Sequence, residues 1–213
     1  MTMDDVQSYT RRELLGVSVA APVAFVIATV FEAGAQVPRI EPTPACGDDG
    51  HVTPSQTEGP YFKPSSPLRA SLREPDMPGT RIAVEGTVLG TDCRPIPRAL
   101  VDFWQADAQG RYDNAGFRLR GHQFTDATGR YRLETVVPGL YPGRTRHFHV
   151  KVQAPDQPVL TTQLYFPEEP GNRRDFIFNP ALMMRVRDGE GVKLATFDFV
   201  LDLRPSGSRR SGT

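Results

Sequence analysis

Residues 138–153 read PGLYPGRTRHFHVKVQ, and the second half of that stretch decides the architecture. Phe148, Val150 and Val152 recur at every second position, which is the pattern of a β-strand with one face against an apolar core. His147 and His149 have the same spacing, so both imidazoles leave the strand from one face. Two neutral imidazoles on one sheet surface are a ready pair of metal ligands. A His-x-His pair can equally be two hydrogen-bonded strand histidines, so the neighbourhood has to decide between the two.

Working outward, short strands come in quick succession. Ile82, Val84, Gly86 and Val88 alternate before a turn at Asp92-Cys93-Arg94-Pro95. Leu100 to Ala106 forms a second run containing Trp104, the only tryptophan, expected as core filler under the sheet. Phe117–Thr125 and Arg130–Val136 are joined by the turn Asp126-Ala127-Thr128-Gly129. Leu160–Phe166 follows the histidine strand, and a last hairpin turns at Asp188-Gly189-Glu190-Gly191 into a strand expected from Val192 to Leu203. Strands and turns at this spacing, with almost no helical periodicity, predict an all-β chain folded as an antiparallel β-sandwich over residues 81–203.

The flanks differ from this body. Residues 36–80 are rich in Pro, Gly and Ser and read as an ordered but irregular N-terminal arm. Residues 204–213 are Ser, Gly and Arg and are expected to be disordered. In the first 35 residues Arg11 and Arg12 precede a mild apolar stretch, and Ala33-Gly34-Ala35 offers a cleavage site. Gly16, Ser18 and Pro22 make that stretch a poor spanning helix, so a cleaved twin-arginine export signal is expected, with a retained anchor as the alternative. Export would favour a disulfide between the two cysteines, Cys46 and Cys93, over two thiols or a lipid on Cys46. The formal net charge of the 213 residues is zero, without the basic footprint of a nucleic-acid binder. No repeat, phosphate-binding glycine loop or CxxC pair is present in the sequence.

With Tyr112 and Tyr141 the chain offers two phenols beside the two imidazoles. Phenolates are hard anionic oxygen donors that suit a trivalent cation better than zinc, so a site of Tyr112, Tyr141, His147 and His149 points to non-haem Fe(III). A single tyrosine is more often a packed side chain with a satisfied hydroxyl, and Tyr131 is read that way.

The segments WQADAQGRY (104–112), TDATGRYRLETVVPGLY (125–141), RTRHFHVKV (144–152) and TPSQTEGPYF (53–62) resemble, in this order, the intradiol ring-cleavage dioxygenase family. That family includes the protocatechuate 3,4-dioxygenases and catechol 1,2-dioxygenases. The resemblance covers roughly Thr53 to Leu203. It implies a prealbumin-like sandwich in which Tyr112, Tyr141, His147 and His149 hold Fe(3+). It further implies that a catechol and O2 react to give a cis,cis-muconate-type diacid. Tyr141 is implied to leave the metal and take a substrate proton, Arg144 to stabilise developing negative charge, and Gln163 to assist by hydrogen bonding. The segment between Tyr141 and His147 is shorter than in the best-known members, which is more like an exported single-domain branch.

Arg146, one residue from His147, is expected on the opposite face in a structural role, and His51 and His122 match no ligand position. Gly59, Pro60, Tyr61 and the segment 113–117 are candidates for reading the ring substituents. No nucleic-acid partner is expected, nor a membrane once the signal is removed, and homo-oligomerisation is left open. Two competing functions are a secreted binding module with a decayed metal site and a zinc hydrolase built on the two histidines; the latter lacks an obvious third ligand.

Overall fold

The computed structural model describes residues 52–203, all within one compact unit. The expected export signal, Cys46, His51 and the 204–213 tail lie outside the described residues. Nine strands are present among the described residues: β1 Arg81–Gly90, β2 Leu100–Trp104, β3 Arg120–Phe124, β4 Arg130–Val136, β5 His147–Gln153, β6 Leu160–Tyr165, β7 Arg185–Gly189, β8 Val192–Thr196 and β9 Phe199–Leu201. Two short 3-10 turns, Pro170–Arg173 and Pro180–Leu182, sit between β6 and β7. One sheet has the order β4-β1-β8-β7 with β9 also pairing β1, and the other has the order β3-β2-β5-β6.

The two inner faces meet in one apolar cluster that includes Val84, Val88, Leu133, Ala195 and Phe199 from the first sheet and Val101, Phe103, Phe148, Val150 and Leu164 from the second. Each fully buried Val, Leu or Phe among them contributes about 1.5–3 kcal/mol. Tyr131 belongs to this cluster and donates its hydroxyl to the Phe197 carbonyl at 2.8 Å, the structural role expected of it. Trp104 departs from expectation. It is buried at 1% exposure, but its place in β2 alternates with the core residues Val101 and Phe103, so it lies on the outer face, stacked against His149. His122 lies in β3, where its Nδ1 is 3.1 Å from the Ser66 hydroxyl.

The sandwich is antiparallel except along one line: β8 and β9 both run parallel to β1. The strand expected from 192 to 203 is broken at Phe197-Asp198, and the break is hydrogen-bonded to β1. Phe197 N–H donates to the Glu85 carbonyl at 3.0 Å, and the Asp198 carboxylate accepts from Thr87 N–H at 2.7 Å. Gly86 makes this crossing feasible, because a Cβ there would stand 1.7 Å from the Phe197 carbonyl oxygen.

Residues 52–80 contain no named strand or helix but are tied down along their length. Thr53 exchanges hydrogen bonds with Val200, and Gln56 N–H donates to the Thr161 carbonyl, covering the edge of β6. Further on, Arg69 N–H bonds to His122 and Leu72 N–H to Glu134, so the segment crosses from β6 to β3 and β4 over the outer face of the second sheet. That face carries the candidate residues. Replacing Gly86 by Ala is expected to lower stability by about 1–3 kcal/mol or more, because the obstructing atom is backbone. A urea unfolding midpoint equal to the parent's would contradict this account of the crossing.

Candidate metal centre

The register of β2, β5 and β6 builds the centre of the site. Trp104 pairs with His149 and His149 with Gln163, while His147 pairs with Tyr165, so these side chains form adjacent rows on the outer face. Both imidazoles are nearly inaccessible, at 5% and 3% exposure. The His147 Nδ1 lies 2.7 Å from the Thr145 carbonyl, which only accepts, so Nδ1 carries the proton and Nε2 keeps its lone pair. That Nε2 faces the Nε2 of His149 at 3.1 Å. Burial above all pushes His147 down to about 4, with the Arg144 charge adding to it and the Thr145 carbonyl opposing it. Burial, then His147 and Arg144, holds His149 well below the ordinary range. Both rings are therefore neutral near pH 7, the protonation state a metal needs.

Two loops bring the phenols to this face. The first follows β2 and is turned by Asp107, whose carboxylate accepts from the N–H groups of Gln109 and Arg111. Gly110 in this turn has φ +81°, and a Cβ there would meet the Leu140 carbonyl oxygen at 2.1 Å. The Gly139 N–H in turn donates to the Asp107 carbonyl at 2.7 Å. Glycine thus lets the 107–111 turn dock directly on the 138–141 loop, which brings Tyr112 and Tyr141 together at 6.0 Å between ring centroids. Tyr112 lies 6.2 Å from His149 by the same measure. Ring contacts thus link the four expected donors in series, Tyr141 to Tyr112, Tyr112 to His149, and His149 to His147 at 4.7 Å.

The arm supplies a third phenol. Tyr61 stacks on Tyr112 at 4.3 Å and 14°, and its hydroxyl lies 2.7 Å from that of Tyr141. Its hydrogen bond to Tyr141, then desolvation, raises the Tyr61 pKa. Burial lifts Tyr112 far above the usual phenol range, against the pull of Arg144 and Arg120. Tyr112 thus stays a neutral phenol unless a cation stands against it.

Arg144 and Gln163 meet directly. One Nη of Arg144 donates to Gln163 Oε1 at 2.6 Å, and Nε donates to Asp175 Oδ2 at 2.8 Å. Gln163 is fully buried, and its amide N–H donates to the Thr57 carbonyl at 2.9 Å, so it is engaged by Arg144 on one side and the arm on the other. Tyr165, pushed up to about 12 by burial, remains a neutral hydroxyl beside both. Arg146 points away, pairing with Glu169 at 2.6 Å. Segment 113–117 is held by Lys63, which donates to the carbonyls of Ala115 and Gly116. Sequence reasoning did not assign Asp175, Thr57 or the stacking role of Trp104 to the site. It named Tyr61 only as a candidate for substrate reading. The TPSQTEGPYF composition was the available signal for the arm, and Asp175 had none.

These donors fit a ferric ion. His147 presents a lone pair, His149 leaves Nδ1 buried without a hydrogen-bond partner, and two phenols complete a hard, anionic set. Among the described residues no group of three His, Cys, Asp and Glu side chains could hold a metal, so a zinc site on the two histidines finds no third ligand of that kind there. A separate cavity of about 810 Å³, lined by Phe166, Met184, Arg146 and Arg185 among others, contains none of the six site residues.

Sandwich and site together define a β-sandwich protein with a mixed tyrosine–histidine donor set on the outer face of one sheet. A dioxygenase family model matches residues 57–203, and the chain belongs to the intradiol ring-cleavage dioxygenase family. It is 31% identical over 166 residues to catechol 1,2-dioxygenase 2 of Acinetobacter lwoffii, covering 65% of this chain and 60% of that protein. It is 37% identical over 118 residues to the protocatechuate 3,4-dioxygenase beta chain of Burkholderia cepacia, covering 47% and 50%. The chain therefore spans only 50–60% of the length of these relatives. Among solved structures, the dioxygenase domain of a dioxygenase–carbohydrate-binding fusion from Streptomyces sp. SirexAA-E superposes with a TM-score of 0.71 at 58% identity, covering 72% of this chain and all of that one. Catechol 1,2-dioxygenase from Pseudomonas arvilla C-1 gives 0.66 at 26% identity, covering 76% and 65%.

The neutral burial of His147 has a measurable consequence in the metal-free protein. The unfolded ring takes its proton near 6.5 and the folded ring only near 4, so the unfolded state binds more protons between these values. Stability is expected to fall as pH drops through that window, by on the order of 3 kcal/mol from this group. Urea midpoints taken from pH 7 to 4 check the sign, and a flat profile contradicts it.

Proposed function

We propose that this protein is a non-haem Fe(III) intradiol dioxygenase that opens a catecholic ring with O2 between its two hydroxyl-bearing carbons, giving a cis,cis-muconate-type diacid. The observation that carries the reading is the convergence of two phenols and two neutral imidazoles beside Arg144. Tyr112, Tyr141, His147 and His149 would hold the iron, which when bound supplies Lewis acidity and an acceptor for the electron density of the catechol ring.

The rest is the work of the chain. A catechol must lose two protons to bind as a dianion. Tyr141 can hold one of them at Oη, where the Tyr61 hydroxyl waits at hydrogen-bond distance, and hydroxide from solvent would take the other as water. Tyr112, enclosed between Tyr61 and the sheet, is the phenol that stays in place. Arg144 provides a fixed positive charge for the anionic substrate and for the negative charge that develops on it. Gln163, fully engaged, acts on Arg144 rather than on the substrate. Trp104 packs flat on His149 at 4.9 Å and 9°, fixing the ring and excluding water from that side. The Arg11-Arg12 motif supports export by the twin-arginine route, which would place the reaction outside the cytoplasm.

The test is to load the protein with iron, measure metal content and visible absorption, and follow O2 uptake and muconate absorbance over a catechol panel. A red to purple charge-transfer colour, stoichiometric iron and muconate formation are expected. Yellow semialdehydes would refute cleavage between the hydroxyls, and a colourless, inert protein would leave a binding module. Tyr112→Phe and His147→Ala are expected to lose iron, colour and O2 uptake together. Tyr61→Phe keeps the stack on Tyr112 but deletes the bond to Tyr141. It should retain iron and lower kcat by roughly 10-fold; an unchanged kcat would remove Tyr61 from the proton path.

A further inference from the structure

We infer that Asp175 is a positioning residue for both halves of the site, with one carboxylate oxygen aiming the Arg144 guanidinium and, through the Thr145 peptide, the His147 imidazole. This rests on the reading of the site as a ferric dioxygenase centre.

The geometry runs through Oδ2. It accepts from Arg144 Nε at 2.8 Å and from Thr145 N–H at 2.9 Å. Thr145 then offers its carbonyl to His147 Nδ1 at 2.7 Å, the contact that leaves the His147 lone pair on Nε2. Both ends are enclosed: the Asp175 side chain is 1% exposed and that of Arg144 15%. A guanidinium bound at Nε by Asp175 and at one Nη by Gln163 has its plane and rotation fixed, which leaves its other Nη outside these two bonds. Thr145 is 1% exposed, so its N–H has no solvent to turn to if the carboxylate is removed.

Asp175 is itself held. Its N–H donates to the Gly171 carbonyl, and Oδ1 accepts from Ile177 N–H at 3.2 Å. The same segment braces Thr145 a second time, through a 2.7 Å bond from Thr145 Oγ1 to Asn172 Oδ1, while Asn172 Nδ2 donates to the Phe166 carbonyl. Residues 171–177 therefore form a bracket behind the Arg144-Thr145-Arg146-His147 run. Asp175 is the point at which the charged and metal-binding parts of that run share one acceptor. Burial works against its charge, but the bonds from Thr145, Arg144 and Ile177 outweigh it and keep the carboxyl below the usual range.

The test is a double-mutant cycle on iron-loaded protein with two readouts: kcat for a catechol per bound iron, and the rate of iron loss to a chelator. Arg144→Ala is expected to lower kcat while iron loss stays at the parent rate. Asp175→Asn should lower kcat by roughly 10–100-fold and also speed iron loss by roughly 10-fold, the range for partners that orient metal ligands. Because Asp175 acts on turnover through Arg144, the double variant should show the kcat of Arg144→Ala alone and the iron loss of Asp175→Asn. Additive losses in kcat, or Asp175→Asn with parent values of both readouts, would overturn the inference. Should Asp175→Asn fail to fold, Asn172→Ala tests the Thr145 branch, with faster iron loss at unchanged kcat per iron expected; parent iron loss there would overturn that branch. Parent protein that takes up no iron and opens no catechol refutes the functional reading itself, and the inference with it. Active parent protein with an indifferent Asp175→Asn sinks the inference alone.

Discussion

The pairing of β5 between β2 and β6 is the constraint on which the rest of the site depends. In β5 the core residues Phe148, Val150 and Val152 are completely buried, and their alternation forces His147 and His149 to the opposite face. A slip of one residue would drive both imidazoles into the apolar core and bring Phe148 to the surface. Burial of three apolar side chains therefore aims the two imidazoles, and neighbouring strands set their lateral order. Trp104, His149 and Gln163 stand in one row because those residues pair. The two imidazoles stand on a strand, and their precision is inherited from the ladder.

Burial then sets the chemistry of what the ladder has placed. An imidazole removed from water resists protonation, and a phenol removed from water resists ionisation. His147 and His149 thus stay neutral rings with a lone pair each, while Tyr112 stays a neutral phenol. Arg144 beside them favours anions and further discourages protonation of the rings. Its charge is tolerated in this enclosed setting because Asp175 and Gln163 occupy its donors. A face on which the imidazoles stay unprotonated beside a fixed positive charge suits an anionic oxygen substrate.

Strand alternation made much of this legible in the sequence, and packing between elements hid the rest. The alternations at 82–88 and 147–153 announced β1 and β5, and Asp126 to Gly129 marked the turn before β4. The strand from Val192 was visible, but its break at Phe197 was not, because the cause is Gly86 about a hundred residues away in sequence. Trp104, a large aromatic within the run Leu100 to Ala106, was expected in the core, but it and Phe103 become buried on opposite faces of β2. Period alone does not separate a core from an outer face covered by another segment. Asp175 lies in an Arg-Arg-Asp-Phe run that resembles any exposed turn, and only the folded chain shows its carboxylate reaching Arg144 and Thr145. Tyr61 was noticed through the unusual composition of its segment, but nothing local states that it meets Tyr141, 80 residues on.

The two phenols that would bind the metal are not equivalent, and the difference follows from the elements that carry them. Tyr112 is fixed by a turn that Asp107 closes with several hydrogen bonds, and its ring is covered by the parallel face of Tyr61. Moving it would break the stack and expose a ring that burial has already made hard to ionise. Tyr141 belongs to a short loop whose neighbour Leu140 is 56% exposed, and its hydroxyl already has a partner other than a metal in Tyr61. A phenol that gives up a cation needs somewhere to place its new proton and its oxygen, and only Tyr141 has that second partner. The arm is therefore part of the chemistry proposed here: it immobilises one phenol with the face of Tyr61 and offers the other an alternative bond with the hydroxyl of the same residue. One side chain, delivered from outside the sandwich, supports the asymmetry that proton transfer from a catechol requires.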